Sequence, residues 1–501
     1  MSAQAETPRH PPRAPHELSP QTSGVPGLRR SLGLRDVILF FVTAGTNFQW
    51  VATAAAAGQG SLMVWLLGGL VMFLPLSVCV VFLSSRHPAQ GGLYVWSRLA
   101  FGPGVGFMTG WTYWTSNLPY FPGLLYFAAG NALYVSSRTS VQANVSSAYF
   151  IAFALGGLAL ATYLNLRGMA IAKWLNNLGA ISRWLAGLLL AFLGAVTWLK
   201  FGPATLFSRS ALAPSLKLTD LIFWATIAFA WTGPEAASFM GDEIRDPQRT
   251  VRRALVVAAP MIAAIYLTGT LSVLVIMPAA HTSALYGVIE AIQKASQQLQ
   301  LTWLTPVAAV LLTLACIGSV GAWLGAVARI PFVAGIDSYL PKSFAKLHPR
   351  YGSPTVAIVT QSAIAAAFAF LGQAGTTVKG AYDVLISMMV VAVMLPFISL
   401  FASAIPLSRG APVPGELAIP GGRPTLVIMA LIGLVTTLGS IALAFVPAPD
   451  DGHPLLTAFK VVGMTAALLL TGGVVYWSGR KRAGALQLRT LHAPQGSAPR
   501  S

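Results

Sequence analysis

Apolar residues in this chain gather in long blocks rather than in alternating or heptad patterns. Each block runs for about 20 residues, the length needed to cross a bilayer as a helix. Twelve such blocks lie near 36–57, 62–85, 104–135, 146–165, 175–199, 219–240, 254–278, 303–328, 354–372, 382–405, 424–446 and 455–478. The pattern predicts an all-α polytopic membrane protein with twelve transmembrane helices. Residues 1–30 are polar and rich in proline (Pro8, Pro11, Pro12, Pro15, Pro20 and Pro26). They have too little apolar surface to offset the entropy of ordering, so they read as a disordered tail. No secretory leader is expected ahead of the first block.

Composition agrees with this reading. Of 501 residues, 55% are hydrophobic and 9% charged. Soluble domains carry roughly a quarter of their residues as Asp, Glu, Lys or Arg. The net charge of +18 raises the possibility of a nucleic-acid partner. Its distribution excludes that. Twenty-four Lys and Arg residues fall in the two tails and the even-numbered loops, seven fall on the opposite side, and Arg183 alone lies inside a block. This asymmetry puts both termini in the cytoplasm, with the chain in the cytoplasmic membrane.

Cys79 and Cys316 both sit inside blocks, and all seven histidines sit in tails or loops. No metal or cofactor pattern emerges. Neither a phosphate-binding loop nor a nucleophile elbow is present, which argues against an enzyme or an ATP-driven pump.

Two blocks are interrupted. The first contains Thr43-Ala44-Gly45-Thr46-Asn47-Phe48-Gln49, and the sixth contains Trp231-Thr232-Gly233-Pro234-Glu235. Each opens a group of five blocks, and an odd group size makes the second group run inverted relative to the first. The pairs Thr46/Gln49 and Thr232/Glu235 have capping-box spacing, as expected where a helix restarts. A broken helix exposes N–H groups on one side and carbonyls on the other. A zwitterion of amino acid size uses both. Interrupted helices at matching positions mark the substrate site of many carriers. The bland alternative is that Gly45 and Gly233 only allow close helix packing.

These residues carry a resemblance. Phe229-Ala230-Trp231-Thr232-Gly233-Pro234-Glu235-Ala236-Ala237-Ser238, followed by Asp242-Glu243-Ile244-Arg245-Asp246-Pro247-Gln248-Arg249, resembles the sixth-helix signature of amino acid permeases. These belong to the amino acid–polyamine–organocation (APC) superfamily. Gly91-Gly92-Leu93-Tyr94-Val95-Trp96, Phe101-Gly102-Pro103 and Gly106-Phe107-Met108-Thr109-Gly110-Trp111 are similar to the family's segment around the third helix. Asn165-Leu166-Arg167-Gly168 and Ile419-Pro420-Gly421-Gly422 add weaker matches. The resemblance spans residues 31–480. It implies a five-plus-five inverted repeat of the leucine-transporter type, with residues 31–200 and 215–406 as the repeats. Helices 11 and 12 then fall in 415–479, and a cytoplasmic tail in 480–501. The chain departs from the family at the first break, where Gly45 stands without the usual second glycine and Asn47 takes a position to meet substrate.

The resemblance also implies roles. Ala44, Gly45, Thr46 and Asn47 on the first break are expected to hold the substrate, with Phe229, Ala230, Trp231, Thr232 and Gly233 on the sixth. Phe229 or Trp231 is an aromatic gate. Asn117, Trp323 and Tyr382 line the cavity, with Trp114 as a further candidate. Glu235, a carboxylate deep in a block, either couples a proton or caps the restarted helix. Arg183 takes the place of a bound cation, the alternative being an arginine that reaches the interface or pairs with a carboxylate. Apart from the resemblance, the short Asp242–Arg253 segment carries both signs of charge and reads either as a solvated inner loop or as an inner gate that pairs with residues such as Arg35 or Asp36.

Together these residues predict a secondary transporter for an amino acid or a close derivative, working by alternating access with proton symport or exchange. Its partners are the substrate, the bilayer and protons. Polyamines or other organic cations, and glutamate-type antiport, remain alternatives within transport. From other classes, a sensor would bind without flux, and a channel would carry a polar filter.

Overall fold

The computed structural model describes residues 30–444 and 463–480, except 89, 137–144, 209–211, 214–217, 338, 374–377, 414–415 and 464. Among these residues the chain is helical throughout, and the only β pairing is an isolated parallel bridge between Leu32 and Ile244. Seven helical segments among the described residues are long and apolar enough to cross a membrane. They are Leu34–Ala56, Ser61–Arg86, Ser147–Leu166, Met169–Phe201, Pro247–Ile276, Leu304–Gly335 and Gly422–Leu443. Of the other predicted blocks, 104–135 and 219–240 hold broken helices, 354–372 and 382–405 fall in the helices Thr355–Gln373 and Val378–Leu407, and the first part of 455–478 lies outside the described residues.

The first segment is two helices, α1 (Leu34–Gly45) and α2 (Phe48–Ala56), separated by Thr46 and Asn47 in extended conformation. The next is α3 (Ser61–Arg86), whose helix takes on a π turn over Gly69–Phe73. Three shorter helices follow: α4 (Leu93–Phe101), α5 (Pro103–Ser116) and α6 (Tyr120–Ala132). Pro103 suits the first turn of α5, since a missing N–H costs nothing there. Then come α7 (Ser147–Leu166) and the 33-residue α8 (Met169–Phe201).

The second interrupted segment is α9 (Leu218–Ala230) followed by a 3₁₀ helix at Pro234–Glu243. The remaining helices are α10 (Pro247–Ile276), α11 (Gly287–Gln298), α12 (Leu304–Val327), α13 (Arg329–Ile336), α14 (Thr355–Gln373), α15 (Val378–Leu407) and α16 (Gly422–Ala444).

Burial sorts these helices into centre and rim. Over an 18-residue apolar stretch, 78% of the residues are buried in the span Leu34–Ala56 and 67% in Leu304–Gly335, against 28% in each of Ser147–Leu166 and Gly422–Leu443. The outer helices therefore present apolar residues such as Leu160, Val435 and Leu438 outward. In a bilayer that exposure costs nothing, because lipid is as apolar as a protein core. The interrupted α1–α2 sits in the middle, the one place where unpaired backbone can be shielded from lipid.

α8 and α12 cross at van der Waals contact. A Cβ on Gly179 would lie 2.7 Å from the Gly318 Cα, and a Cβ on Gly318 3.0 Å from the Leu175 carbonyl. Small residues on both helices permit this approach.

One end of the molecule is closed by chain-to-chain bonds. The Leu32 N–H donates to the Glu243 carbonyl at 3.0 Å, and the Arg245 N–H to the Leu32 carbonyl at 2.9 Å. Arg329 makes a two-pronged bond to Glu243, at 2.9 and 2.8 Å, with both side chains buried. A buried pair with both oxygens engaged meets the condition under which its Coulomb attraction offsets desolvation. The Asp242–Arg253 segment thus meets the chain just before α1, but through Leu32 and the Arg30 carbonyl, which accepts from Arg245. Asp36 is already engaged elsewhere. It accepts from the Gly33 N–H, Lys173 and Asn177.

Candidate functional site

The two breaks touch. Gly233 has φ +132, which side-chain-bearing residues rarely adopt, and an added Cβ there would sit 2.9 Å from the Gly45 Cα. The chain thus needs glycine at 233 both for its backbone angle and for its approach to α1.

Each break is completed differently. At the first, α1 ends with its carbonyls free, the negative end of the helix dipole. The Arg183 guanidinium, fully buried on α8, donates to the Thr43 carbonyl. It also donates to the Ala315 carbonyl at 3.0 Å and the Ser319 hydroxyl at 2.6 Å, both on α12. Ser319 in turn donates to the same Thr43 carbonyl at 3.0 Å. With a longer bond to the Thr46 hydroxyl at 3.5 Å, these partners are oxygens of the backbone and two hydroxyls. Arg183 neither reaches an interface nor pairs with a carboxylate, as the alternative reading had it.

At the second break, Glu235 faces freed N–H groups. Its carboxylate accepts from the Gly233 N–H at 2.9 Å and from the Tyr113 hydroxyl at 2.7 Å. The restart is one residue later than the Thr232/Glu235 spacing predicts, with Gly233 as N-cap. At the first break the N-cap is Asn47, not Thr46. The Thr46 hydroxyl turns back instead and donates to the Val42 carbonyl at 2.6 Å. In an apolar surrounding, the nearby carbonyl of the preceding turn outcompetes the cap for a threonine hydroxyl.

Between the breaks lies a cavity with free space for about two or three water molecules. Of the residues predicted from sequence, Ala44, Asn47, Asn117, Phe229, Ala230, Thr232 and Trp323 line it. Gly45, Thr46 and Gly233 stand behind that wall in the break backbones. Arg183 and Glu235 do not reach the cavity surface. The Tyr382 side chain lies outside the described part of α15, as does that of Asp383 at the same end.

The two gate candidates separate. Phe229 lines the cavity and meets Trp50 edge-on, with ring centroids 5.2 Å apart. Trp231 points away from it. Its indole N–H donates to the Trp65 carbonyl at 3.1 Å, and its ring packs on Trp65, Phe73 and Tyr266. Gly68 and Gly69 on α3 leave room for that ring, since a Cβ on Gly68 would lie 2.9 Å from it. Trp114 likewise points into packing, donating to Gln361 at 3.2 Å.

Sequence reasoning missed Trp50, Tyr113, Tyr120, Tyr266, Met389 and Val393, which complete the lining. A signal existed for two of them. Tyr113 and Tyr120 stand four residues before and three after Asn117, the spacing that puts side chains on one helical face. Nothing comparable marks Tyr266 or Met389 among the apolar residues of their helices.

No cluster of three or more His, Cys, Asp or Glu side chains able to hold a metal occurs among the described residues. Both cysteines are buried and unpaired.

A multi-pass helical protein with a buried polar-and-aromatic cavity at two touching helix breaks has the architecture of a membrane carrier. Residues 32–471 match the family profile described as amino acid permease, and the chain belongs to that family, within the APC superfamily. It is accordingly a membrane transporter and not an enzyme. An uncharacterized transporter of Legionella pneumophila is 26% identical, covering 84% of this chain and 90% of its own. The glutamate/gamma-aminobutyrate antiporter of Lactococcus lactis is 23% identical, covering 80% and 82%. A probable agmatine/putrescine antiporter from the same organism is 24% identical, covering 65% and 68%.

Proposed function

We propose that the chain carries amino acids or close derivatives across the cytoplasmic membrane by alternating access. In this reading it has twelve transmembrane helices. Residues 31–200 and 215–406 form two inverted five-helix repeats, 415–479 holds the last two helices, and 1–30 and 480–501 are cytoplasmic tails. Substrate binds between the breaks at 44–47 and 229–233, with Asn117, Trp323 and Tyr382 alongside and Phe229 as the aromatic gate.

The observation that carries this reading is the contact between Gly45 and Gly233 beside a lined cavity. An α-amino acid has the two opposite charges that suit freed helix ends, and both ends meet there. Exchange of one substrate for another is favoured by the names of two relatives, which are antiporters. Proton coupling has a candidate in Glu235, which bonds both the restarted helix and a cavity-lining tyrosine.

Arg183 supports independence from sodium. Its guanidinium occupies the oxygen cluster of Thr43, Ala315 and Ser319 with a fixed charge that cannot be released at physiological pH. Counterflow in proteoliposomes tests carrier action and coupling together. Saturable uptake of labelled leucine, driven by internal leucine and unchanged when choline replaces sodium, is expected. A strict sodium requirement would refute the cation-replacement role, and flux without saturation would point to a channel.

A further inference from the structure

We infer that the cavity selects amino acids with neutral, apolar side chains and rejects both acidic substrates and polyamines. This deepens the proposed function and rests on its placement of the substrate between the two breaks. It departs from the substrates named for the two Lactococcus antiporters.

The argument starts from charge. Among the described residues, no Asp, Glu, Lys, Arg or His contributes to the cavity lining. The two nearby ions stand behind that lining and are held by backbone and hydroxyl partners, with only the Arg183 Nε left without one. Arg183 is bound by Thr43, Ala315 and Ser319, and Glu235 by Gly233 and Tyr113. An ionised substrate side chain placed in this cavity would lose its water and find no opposite charge. Burying an unpaired charge is among the most costly steps in protein chemistry. A putrescine-like dication would bring two charges, and a glutamate side chain one.

The wall suits an apolar group instead. Trp50, Phe229, Trp323, Met389 and Val393 contribute large apolar surfaces, and methionine adapts its shape to varied partners. A hydrocarbon or thioether side chain buried here gains roughly 1.5–3 kcal/mol from leaving water.

The polar demand is confined to one point. Asn47 is buried at the N-cap of α2 but makes no side-chain cap bond. Its amide nitrogen bonds the Tyr120 hydroxyl at 2.7 Å, and its Oδ1 is buried without a partner. Tyrosine can donate or accept, so turning the amide over only exchanges which of its two atoms stays unpaired. Either way, Asn47 keeps one unpaired hydrogen-bonding atom beside a cavity where other polar lining groups, such as Asn117 and Tyr266, already bond backbone carbonyls. An unmet buried polar atom costs about 1–3 kcal/mol, and the polar head of an amino acid beside the α2 N-terminus relieves that cost. The site therefore splits into a polar end at Asn47 and Tyr120 and an apolar end at Trp50, Phe229 and Met389.

The test uses the full-length purified protein, by thermal shift for binding and by proteoliposome counterflow for transport. Labelled leucine is the probe, with phenylalanine, methionine, glutamate, agmatine and putrescine as competitors. Leucine should raise the melting temperature. Phenylalanine and methionine should compete with leucine at least tenfold more strongly than glutamate, agmatine or putrescine. Equal or stronger competition by glutamate or a polyamine would overturn the inference while leaving carrier action intact. Leucine binding without uptake would do the reverse, removing carrier action and keeping the selectivity.

Two variants locate the cause. Asn47→Ala should weaken leucine binding about tenfold while the unliganded protein melts within a few degrees of the original. An unchanged affinity would remove Asn47 from the polar end. Met389→Arg should shift the glutamate-to-leucine competition ratio toward glutamate by tenfold or more. A uniform loss of affinity for both, or an unchanged ratio, would mean that α15 does not face the substrate side chain.

Discussion

The two helix breaks solve the same problem with opposite charges. Where α1 stops, exposed carbonyls draw a cation, the guanidinium of Arg183, from α8. Where the 3₁₀ helix begins at Pro234, exposed N–H groups draw an anion, the carboxylate of Glu235, from the same strand of chain. One ion is lent by a distant helix and the other is local. Each is matched to the sign of the helix end it meets. Two charges at the heart of the molecule are thereby held by backbone and hydroxyls, and among the described residues the cavity lining between them carries no charge.

Three substitutions probe this pairing. The largest effect is expected at the borrowed ion. Arg183→Met removes charged bonds worth about 1.5–3 kcal/mol each and strands the Thr43 and Ala315 carbonyls. Leucine counterflow should fall about 100-fold or more with the protein still monodisperse on size exclusion. Retention of half the original rate would show that α1 does not need the guanidinium.

A smaller effect is expected at the local ion. Glu235→Gln keeps an acceptor for the Gly233 N–H but loses the charge and any proton exchange. Uptake should drop about tenfold at neutral pH, and its dependence on pH between 5 and 8 should flatten. A pH profile identical to that of the original protein would confine Glu235 to capping.

The least effect is expected beside the second break. Trp231→Phe loses one indole bond, to the Trp65 carbonyl, worth about 1 kcal/mol. Melting should come a few degrees earlier and uptake should stay within about twofold. If instead uptake collapses as it should in Phe229→Ala, the assignment of the gate to Phe229 alone is wrong.

Much of this was legible in the sequence. The blocks of apolar residues located the helices, because bilayer thickness fixes their length. The breaks at 43–49 and 231–235 stood out because polar residues, Gly and Pro are costly inside such blocks. What stayed hidden depends on rotation about a helix axis and on partners far along the chain. Spacing alone gives Thr46 and Asn47 equal claims to the cap. The choice falls to Asn47 because the Val42 carbonyl captures the Thr46 hydroxyl. Phe229 and Trp231 are two residues apart, on different faces, and only the docking of Trp231 against Gly68 and Gly69 assigns them. The partners of Arg183 come from α1 and α12, more than 130 residues away in each direction.

The glycine crossing of α8 and α12 gives Arg183 an unequal grip. Two of its bonds, to Ala315 and Ser319, go to α12, against which α8 is fixed by the near-touching Gly179 and Gly318. Its bonds to Thr43 and Thr46 go instead to the first break, where α1 ends and Asn47 is extended. A shift of α1 against α12 would strain those bonds and spare the two to α12. The guanidinium is thus mounted on a rigid frame and reaches out of it to the one helix end beside it.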